Sequence, residues 1–155
     1  MATYGITDRC TGGVATASHT LTTYVPANAF DDNTGTVWIP AQTTTAGMWI
    51  KYAFAAGVFL KISKITIKNY EINRAINAFT VKGSVDDATE LTLYSGNCAN
   101  NTSVQTFTFT NRNNYRYIKI IIDSKYGTDY VAIVEIEMFE GIYPGGFSGG
   151  QPYIF

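Results

Sequence analysis

A chain of 155 residues, 46% of them hydrophobic, is long enough for one domain with a substantial core. Only 15% of its residues are charged, the formal net charge is -1 and no block of like charge occurs, so neither nucleic acid nor anionic membrane finds an electrostatic partner here. No apolar run is long enough to span a bilayer, and no basic segment followed by an apolar core opens the chain; the domain is made without a secretion signal, or the signal lies outside this sequence.

Neutral Thr, Asn, Ser and Gln must cover the surface, and the 11 Tyr and 9 Phe favour strands over helices. Thr11-Gly12-Gly13 reads as a turn, Val14 to Ser18 as a short strand, and His19 to Asn28 as a loop. Then comes Ala29-Phe30-Asp31-Asp32-Asn33-Thr34-Gly35-Thr36-Val37-Trp38, a run of oxygen-bearing side chains held between apolar anchors. Such a run wraps a hard cation, or it turns a corner through Asx-type bonds with no ion. Pro40 to Gly47 forms a Thr-rich loop ahead of Trp49-Ile50-Lys51-Tyr52-Ala53-Phe54, where Ile50, Tyr52 and Phe54 alternate with Trp49, Lys51 and Ala53. That period of two predicts a half-buried strand.

Strand signals recur from there. Ile65 and Ile67 alternate with Lys64, Thr66 and Lys68; Phe79 and Val81 with Thr80 and Lys82; Leu91 and Leu93 with Thr92. Phe107 and Phe109 sit among threonines, Ile118, Ile120 and Ile122 alternate with Tyr117, Lys119 and Ile121, and Val134, Ile136 and Met138 with Glu135, Glu137 and Phe139. Asp86-Asp87, Ser95-Gly96-Asn97, Asn111 to Asn114 and Gly127-Thr128-Asp129 supply the turns. Many short strands, no convincing helix and no internal repeat predict an all-β fold, an antiparallel β-sandwich of jelly-roll type over residues 1–141. Residues 142–155 alternate glycines with aromatics and read as a separate tail, either a solvated linker or an arm that docks on this domain or a neighbouring subunit. Cys10 and Cys98 are one disulfide or two buried thiols, and with His19 they do not have zinc-site spacing.

In their order, several of these pieces resemble the factor V/VIII type C (discoidin-like) family, which includes many carbohydrate-binding modules. They are the stretch from Ala29 to Trp38, Trp49 to Phe54, Phe79-Thr80-Val81-Lys82-Gly83-Ser84-Val85-Asp86-Asp87, Tyr115-Arg116-Tyr117-Ile118-Lys119-Ile120, and Glu135-Ile136-Glu137-Met138-Phe139-Glu140-Gly141. The resemblance implies a galactose-binding-like sandwich, and a structural calcium with oxygens from Asp31, Asn33, Thr36 and Glu135. Calcium takes six to eight oxygens from carboxylates, amides, hydroxyls and carbonyls, which this loop can offer. The family often has Gly where Asp32 stands, which raises the expectation of positive φ there; Asp tolerates such a backbone better than most residues.

The family binds ligands with loops at one end of the sandwich. Arg74 and Asn77 match its polar loop best, with Asn73 and Glu71 secondary; Tyr126 and Tyr130 are candidate ring platforms, and His19 and Tyr24 come from an early loop that can reach the same end. A planar guanidinium, amides and an aromatic face suit a neutral sugar. The family's common His just after the Trp is replaced by Ile39, a departure from the usual galactose-type pocket. Each residue also has a plainer use: a solvated charge for Arg74, half-buried strand edges for Tyr126 and Tyr130, turn packing for His19, core for Trp38, a second face or an edge for Trp49. Adjacent acids in turns do not make a hydrolytic pair, and neither a nucleophile constellation nor a phosphate loop is present, so an enzyme is not expected. The expected role is a non-catalytic glycan-binding, adhesive module, extracellular or surface-displayed. The alternative is a structural subunit of a surface fibre, layer or virion assembling through the tail. Phospholipid binding ranks last because the Leu21 to Val25 loop has no basic residues.

Overall fold

The computed structural model describes residues 2–143; the rest of the expected tail, 144–155, lies outside the described residues. Among the described residues, nine strands form the regular structure: β1 (Thr3–Tyr4), β2 (Val14–Ala17), β3 (Trp49–Ala53), β4 (Ile62–Asn69), β5 (Ala78–Ser84), β6 (Glu90–Asn97), β7 (Gln105–Thr108), β8 (Tyr117–Ile122) and β9 (Ile133–Ile142), with one 3-10 helix at Pro26–Ala29. All pairings between strands are antiparallel. One sheet has the order β1-β9-β4-β7 and the other β2-β3-β8-β5-β6. This is the all-β sandwich that the period-two alternation requires.

The alternating runs of β3, β4, β5, β8 and β9 place their apolar parity between the sheets, whereas Leu91 on β6 stays exposed. Ile50 and Tyr52 on β3 lie opposite Ile120 and Ile118 on β8, and Phe79 and Val81 on β5 lie opposite Ile122 and Ile120. From the other sheet, Ile65 and Ile67 on β4 face Met138 and Ile136 on β9. All eleven are buried in one core with Trp38, Met48 and Phe54. Phe79, Tyr94, Phe107 and Phe109 close the flank beside β6 and β7 by edge-on, tilted and stacked ring contacts. Cys10 and Cys98 are free thiols, both buried, so the sandwich is held by packing rather than by a bridge between them. Burial pushes the Cys98 thiol up to about 12, and burial, followed by the charge of Asp8, also raises Cys10. Both therefore stay protonated and unreactive at neutral pH.

Trp49 lies on the outer face of the five-stranded sheet, with the ammonium groups of Lys51 and Lys119 at 5.3 Å and 5.1 Å from its ring. β6 is irregular: Tyr94 pairs with Val81 and Thr92 with Lys82, so Leu93 is the extra residue of a bulge. The last strand runs through Ile142, and the Tyr143 hydroxyl bonds with Ser63 Oγ at 2.7 Å and accepts Asn111 N–H at 2.8 Å.

Strand direction sorts the loops. Asn69, Ala78, Ile122, Trp49 and Ile133 end or begin strands at one end of the sandwich, and both the start of β1 and the end of β9 lie at the other. Close packing at that far end depends on Gly83: a Cβ there would sit 2.7 Å from the ring carbons of Tyr115, which is itself buried. Gly83→Ala is expected to cost about 1–3 kcal/mol by overpacking, read as a lower urea midpoint with unchanged slope.

Candidate functional site

Four segments meet at the loop end around one short piece of backbone. Trp38 N–H donates to Ile133 O at 2.9 Å and Ile133 N–H returns the bond to Trp38 O at 3.1 Å. One residue earlier, Ala132 O accepts Tyr70 N–H and Ala132 N–H donates to Arg74 O, both at 3.0 Å. Leu21 N–H donates to Ile39 O and Ile39 N–H to Tyr24 O, which brings in the early loop. A small apolar cluster of Val37, Ile39 and Ala132, with Leu21 and Tyr130 against it, packs the junction. Asn69 closes the base of the loop over residues 69–77: it is fully buried, and its Oδ1 accepts Ile76 N–H at 3.1 Å.

Arg74 is the centre of charge. Its Nε pairs with Glu71 at 2.9 Å and its Nη2 bonds to Asp129 from the facing loop. The Asp129 carboxyl is held below its usual range, first by Tyr130 N–H and then by the Arg74 guanidinium. Lys125 turns its ammonium to the carbonyls of Gly127 and Asp129. Two acids and two bases thus cancel at this end. Asn73 adopts φ 66° and exchanges bonds with Asn100, its N–H donating to Asn100 Oδ1 at 2.9 Å. Gly127, at φ +66°, passes so close that a Cβ there would lie 2.4 Å from Asn73 O.

The other sequence-derived ligand candidates are distributed less evenly. Asn77 accepts a bond from Asn97 Nδ2 at 3.2 Å and lies where the loop rejoins β5. Tyr126 spends its hydroxyl on Cys98 O at 2.9 Å. Tyr130 packs sideways on the small cluster. His19 bonds through Nδ1 to Ser18 Oγ at 3.0 Å while its carbonyl accepts Trp38 Nε1–H, so it is engaged in fastening β2 to the core. Tyr24 is 42% exposed on the early loop. The residue the sequence reading passed over is Tyr70, 49% exposed on the Arg74 loop and tied by its backbone to the same Ala132. Its signal was a large aromatic directly after a strand end, before a polar run, where no alternation demands burial.

The stretch from Asp31 to Thr36 folds into successive Asx turns. Asn33 N–H donates to Asp31 Oδ1 and Gly35 N–H to Asn33 Oδ1, each at 3.0 Å. Thr36 Oγ1 bonds to both Asp31 oxygens and to Asn33 O. Asp32 has φ 56°, the left-handed backbone for which Gly is the easier residue. Beside it Glu135 projects from β9 with Oε2 buried and without a hydrogen-bond partner among the described residues. Lys68, its register neighbour on β4, turns away to Thr102 O at 2.9 Å. Burial pushes Glu135 up to about 8, and the charges of Asp31, Asp32, Glu137 and Asp8 add to the effect. Among the described residues no three His, Cys, Asp or Glu side chains group as metal ligands. A hard cation here would draw on Asp31, Glu135, the Asn33 amide, the Thr36 hydroxyl and backbone carbonyls, the mixed oxygen set that calcium accepts. An orphaned buried carboxylate beside such a loop fits that ion.

A two-sheet jelly-roll sandwich with its polar and aromatic loops gathered at one end is the architecture of a discoidin-like binding domain. The F5/8 type C domain matches residues 14–136, and the chain belongs to this family. No curated protein matches the chain. Among solved structures, the family 32 carbohydrate-binding module of C. perfringens NanJ, in complex with galactose, superposes with TM-score 0.74 at 20% identity, covering 90% of this chain and 100% of that one. A family 32 module from a Clostridium perfringens family 89 glycoside hydrolase, in complex with GalNAc-beta-1,3-galactose, gives TM-score 0.71 at 17% identity over 84% and 96% of the two chains. The family 32 module of AlyQ, in complex with 4,5-unsaturated mannuronic acid, gives 0.64 at 22% over 81% and 93%. Against a larger Clostridium perfringens family 89 glycoside hydrolase chain, this chain spans 14% of the length.

Glu135 generates a pH prediction. In chelator the folded Glu135 keeps its proton up to about 8, well above the ordinary carboxylate range in which the unfolded chain loses it, so over that window the unfolded chain binds fewer protons and stability falls as pH rises. Glu135→Gln cannot ionise and is expected to lose that decline, melting above the wild type at pH 8 in chelator. Parallel melting profiles for the two proteins check this: a decline in the wild type that the variant lacks shows that the ionised carboxylate has no compensating partner in chelator.

Proposed function

We propose that this chain is a non-catalytic carbohydrate-binding module that takes a neutral sugar at its loop end, holds a structural calcium at the Asp31 loop, and works outside the cell or on a surface assembly. The observation that carries the reading is the pairing of an exposed ring, Tyr70, with an oriented guanidinium, Arg74, on one loop fastened to Ala132. A sugar presents an apolar face to a ring and hydroxyls to fixed donors, and protein groups already held in place lose little freedom on binding. The galactose-complexed and GalNAc-beta-1,3-galactose-complexed family 32 modules of like fold support a sugar ligand.

Charge balance narrows the ligand. Because Glu71 and Asp129 already neutralise Arg74, an anionic sugar meets no uncompensated cation there, while a neutral sugar can use the remaining N–H groups. Calcium at Asp31 would pair the isolated Glu135 carboxylate and fix the loop that leads into Trp38. Its role is to hold backbone; the ligand contacts lie on other loops.

On a glycan array the chain is expected to bind neutral glycans, to ignore uronates, and to lose about tenfold or more in affinity with Arg74→Ala or Tyr70→Ala, about 1.4 kcal/mol or more. Absence of binding to every glycan would overturn the reading. Calcium in excess over its dissociation constant is expected to raise the melting temperature by several degrees relative to chelator, about 2.7 kcal/mol at a hundredfold excess. Glu135→Gln is expected to reduce that gain. Identical wild-type melts in calcium and chelator would remove the ion from the proposal.

A further inference from the structure

The sandwich has four edge strands, and three are short: β1 has two residues, β2 four and β7 four. The fourth, β6, has eight and pairs on one side only, with β5. Among the described residues, no backbone group elsewhere in the chain bonds to its outer side. Long edges are ordinarily guarded by lysine, proline or an inward-pointing charge, because their unpaired N–H and C=O groups accept any other strand. The run Glu90-Leu91-Thr92-Leu93-Tyr94-Ser95-Gly96-Asn97 has no lysine and no proline. Its one charge, Glu90, sits at the end and is engaged by Lys82 and Lys119 on the outer sheet face. Among the described residues, the bulge at Leu93 is the one feature that guards this strand, and Tyr94 to Asn97 remain in regular register beyond it. Two large apolar side chains of the same hairpin are uncovered, Leu91 at 54% and Val85 at 51% exposure.

We infer that β6 is an interaction edge whose partner is β6 of a second copy of this chain, paired antiparallel so that two five-stranded sheets join into one. An antiparallel edge is complementary to itself under two-fold rotation, so one patch serves both sides. Self-pairing brings hydroxyl, amide and apolar side chains together without opposing like charges, and it offers Leu91 and Val85 a cover. A single strand pair is smaller than the roughly 1,200–2,000 Å² of a standard stable interface, so the dimer is weak and concentration-dependent. Its geometry has a functional result. The two strands run in opposite directions, so the loop ends of the two copies point away from each other. Resting on the glycan reading above, such a dimer bridges two glycan-bearing surfaces instead of gripping one surface twice.

Light scattering on the full chain, from about micromolar to about millimolar, tests the edge. The mass is expected to rise from the 17.0 kDa monomer toward twice that value. Leu91→Lys and Thr92→Lys, each adding a charge to the edge at an exposed position, are expected to stay monomeric while melting like the wild type. A wild type that remains monomeric throughout overturns the inference. So does a dimer that survives both lysine variants but disappears when residues 144–155 are deleted, since that result assigns the contact to the tail. Beads coated with a neutral glycan separate this inference from the glycan reading. The wild type is expected to clump them, and Thr92→Lys to bind them without clumping. A dimer that binds no glycan sinks the glycan reading and leaves the edge pairing standing; a clumping monomer overturns the edge.

Discussion

The reciprocal hydrogen bonds between Trp38 and Ile133 fix the point on which both candidate sites depend. Trp38 is fully buried, so the bridge sits where water cannot compete for it. On one side of Trp38 the chain leads back to the Asp31 turns; on the other side of Ile133 it leads to Ala132 and, through it, to Tyr70 and Arg74. Two residues along β9 stands Glu135, which faces those Asx turns. The backbone that positions the guanidinium and the backbone that presents the orphaned carboxylate are therefore one piece. An ion that orders the Asp31 loop would tighten this junction without touching the sugar.

The sandwich was legible because its strands alternate apolar and polar residues with few interruptions. Burial acts on parity, and parity is written in Ile50, Tyr52, Ile118, Ile120 and Ile122 without reference to anything distant. Trp49 was ambiguous for the same reason: its parity excludes the core, but only the neighbouring strand reveals Lys119 beside its ring. The bulge at Leu93 was not legible, since inserting one residue lets two successive side chains approach the core and disguises the alternation.

The loop end was less readable because loop chemistry is set by partners far along the chain. Arg74 reads as a free surface charge until Asp129, on another loop, is seen to hold it. Tyr126 reads as a platform, and only the folded chain shows that its hydroxyl is held by Cys98 O. Conversely, Tyr70 has its N–H fixed on Ala132 O while its ring stays exposed. Asp32 was the exception: the glycine that the family often carries at this place raised the expectation of positive φ, and the structure shows it.

The anchoring of Tyr143 has a mechanical consequence. Its hydroxyl ties the end of β9 beneath β4, at the pole opposite the loops. A pull between a ligand gripped at the loops and the chain leaving Tyr143 would run along β9 and load its rungs with β4 simultaneously. Strands stretched in that direction slide as a block instead of peeling rung by rung, and they resist force far better. The same sandwich turned through a right angle would unzip. The placement of Tyr143 therefore suits the domain to a load along β9.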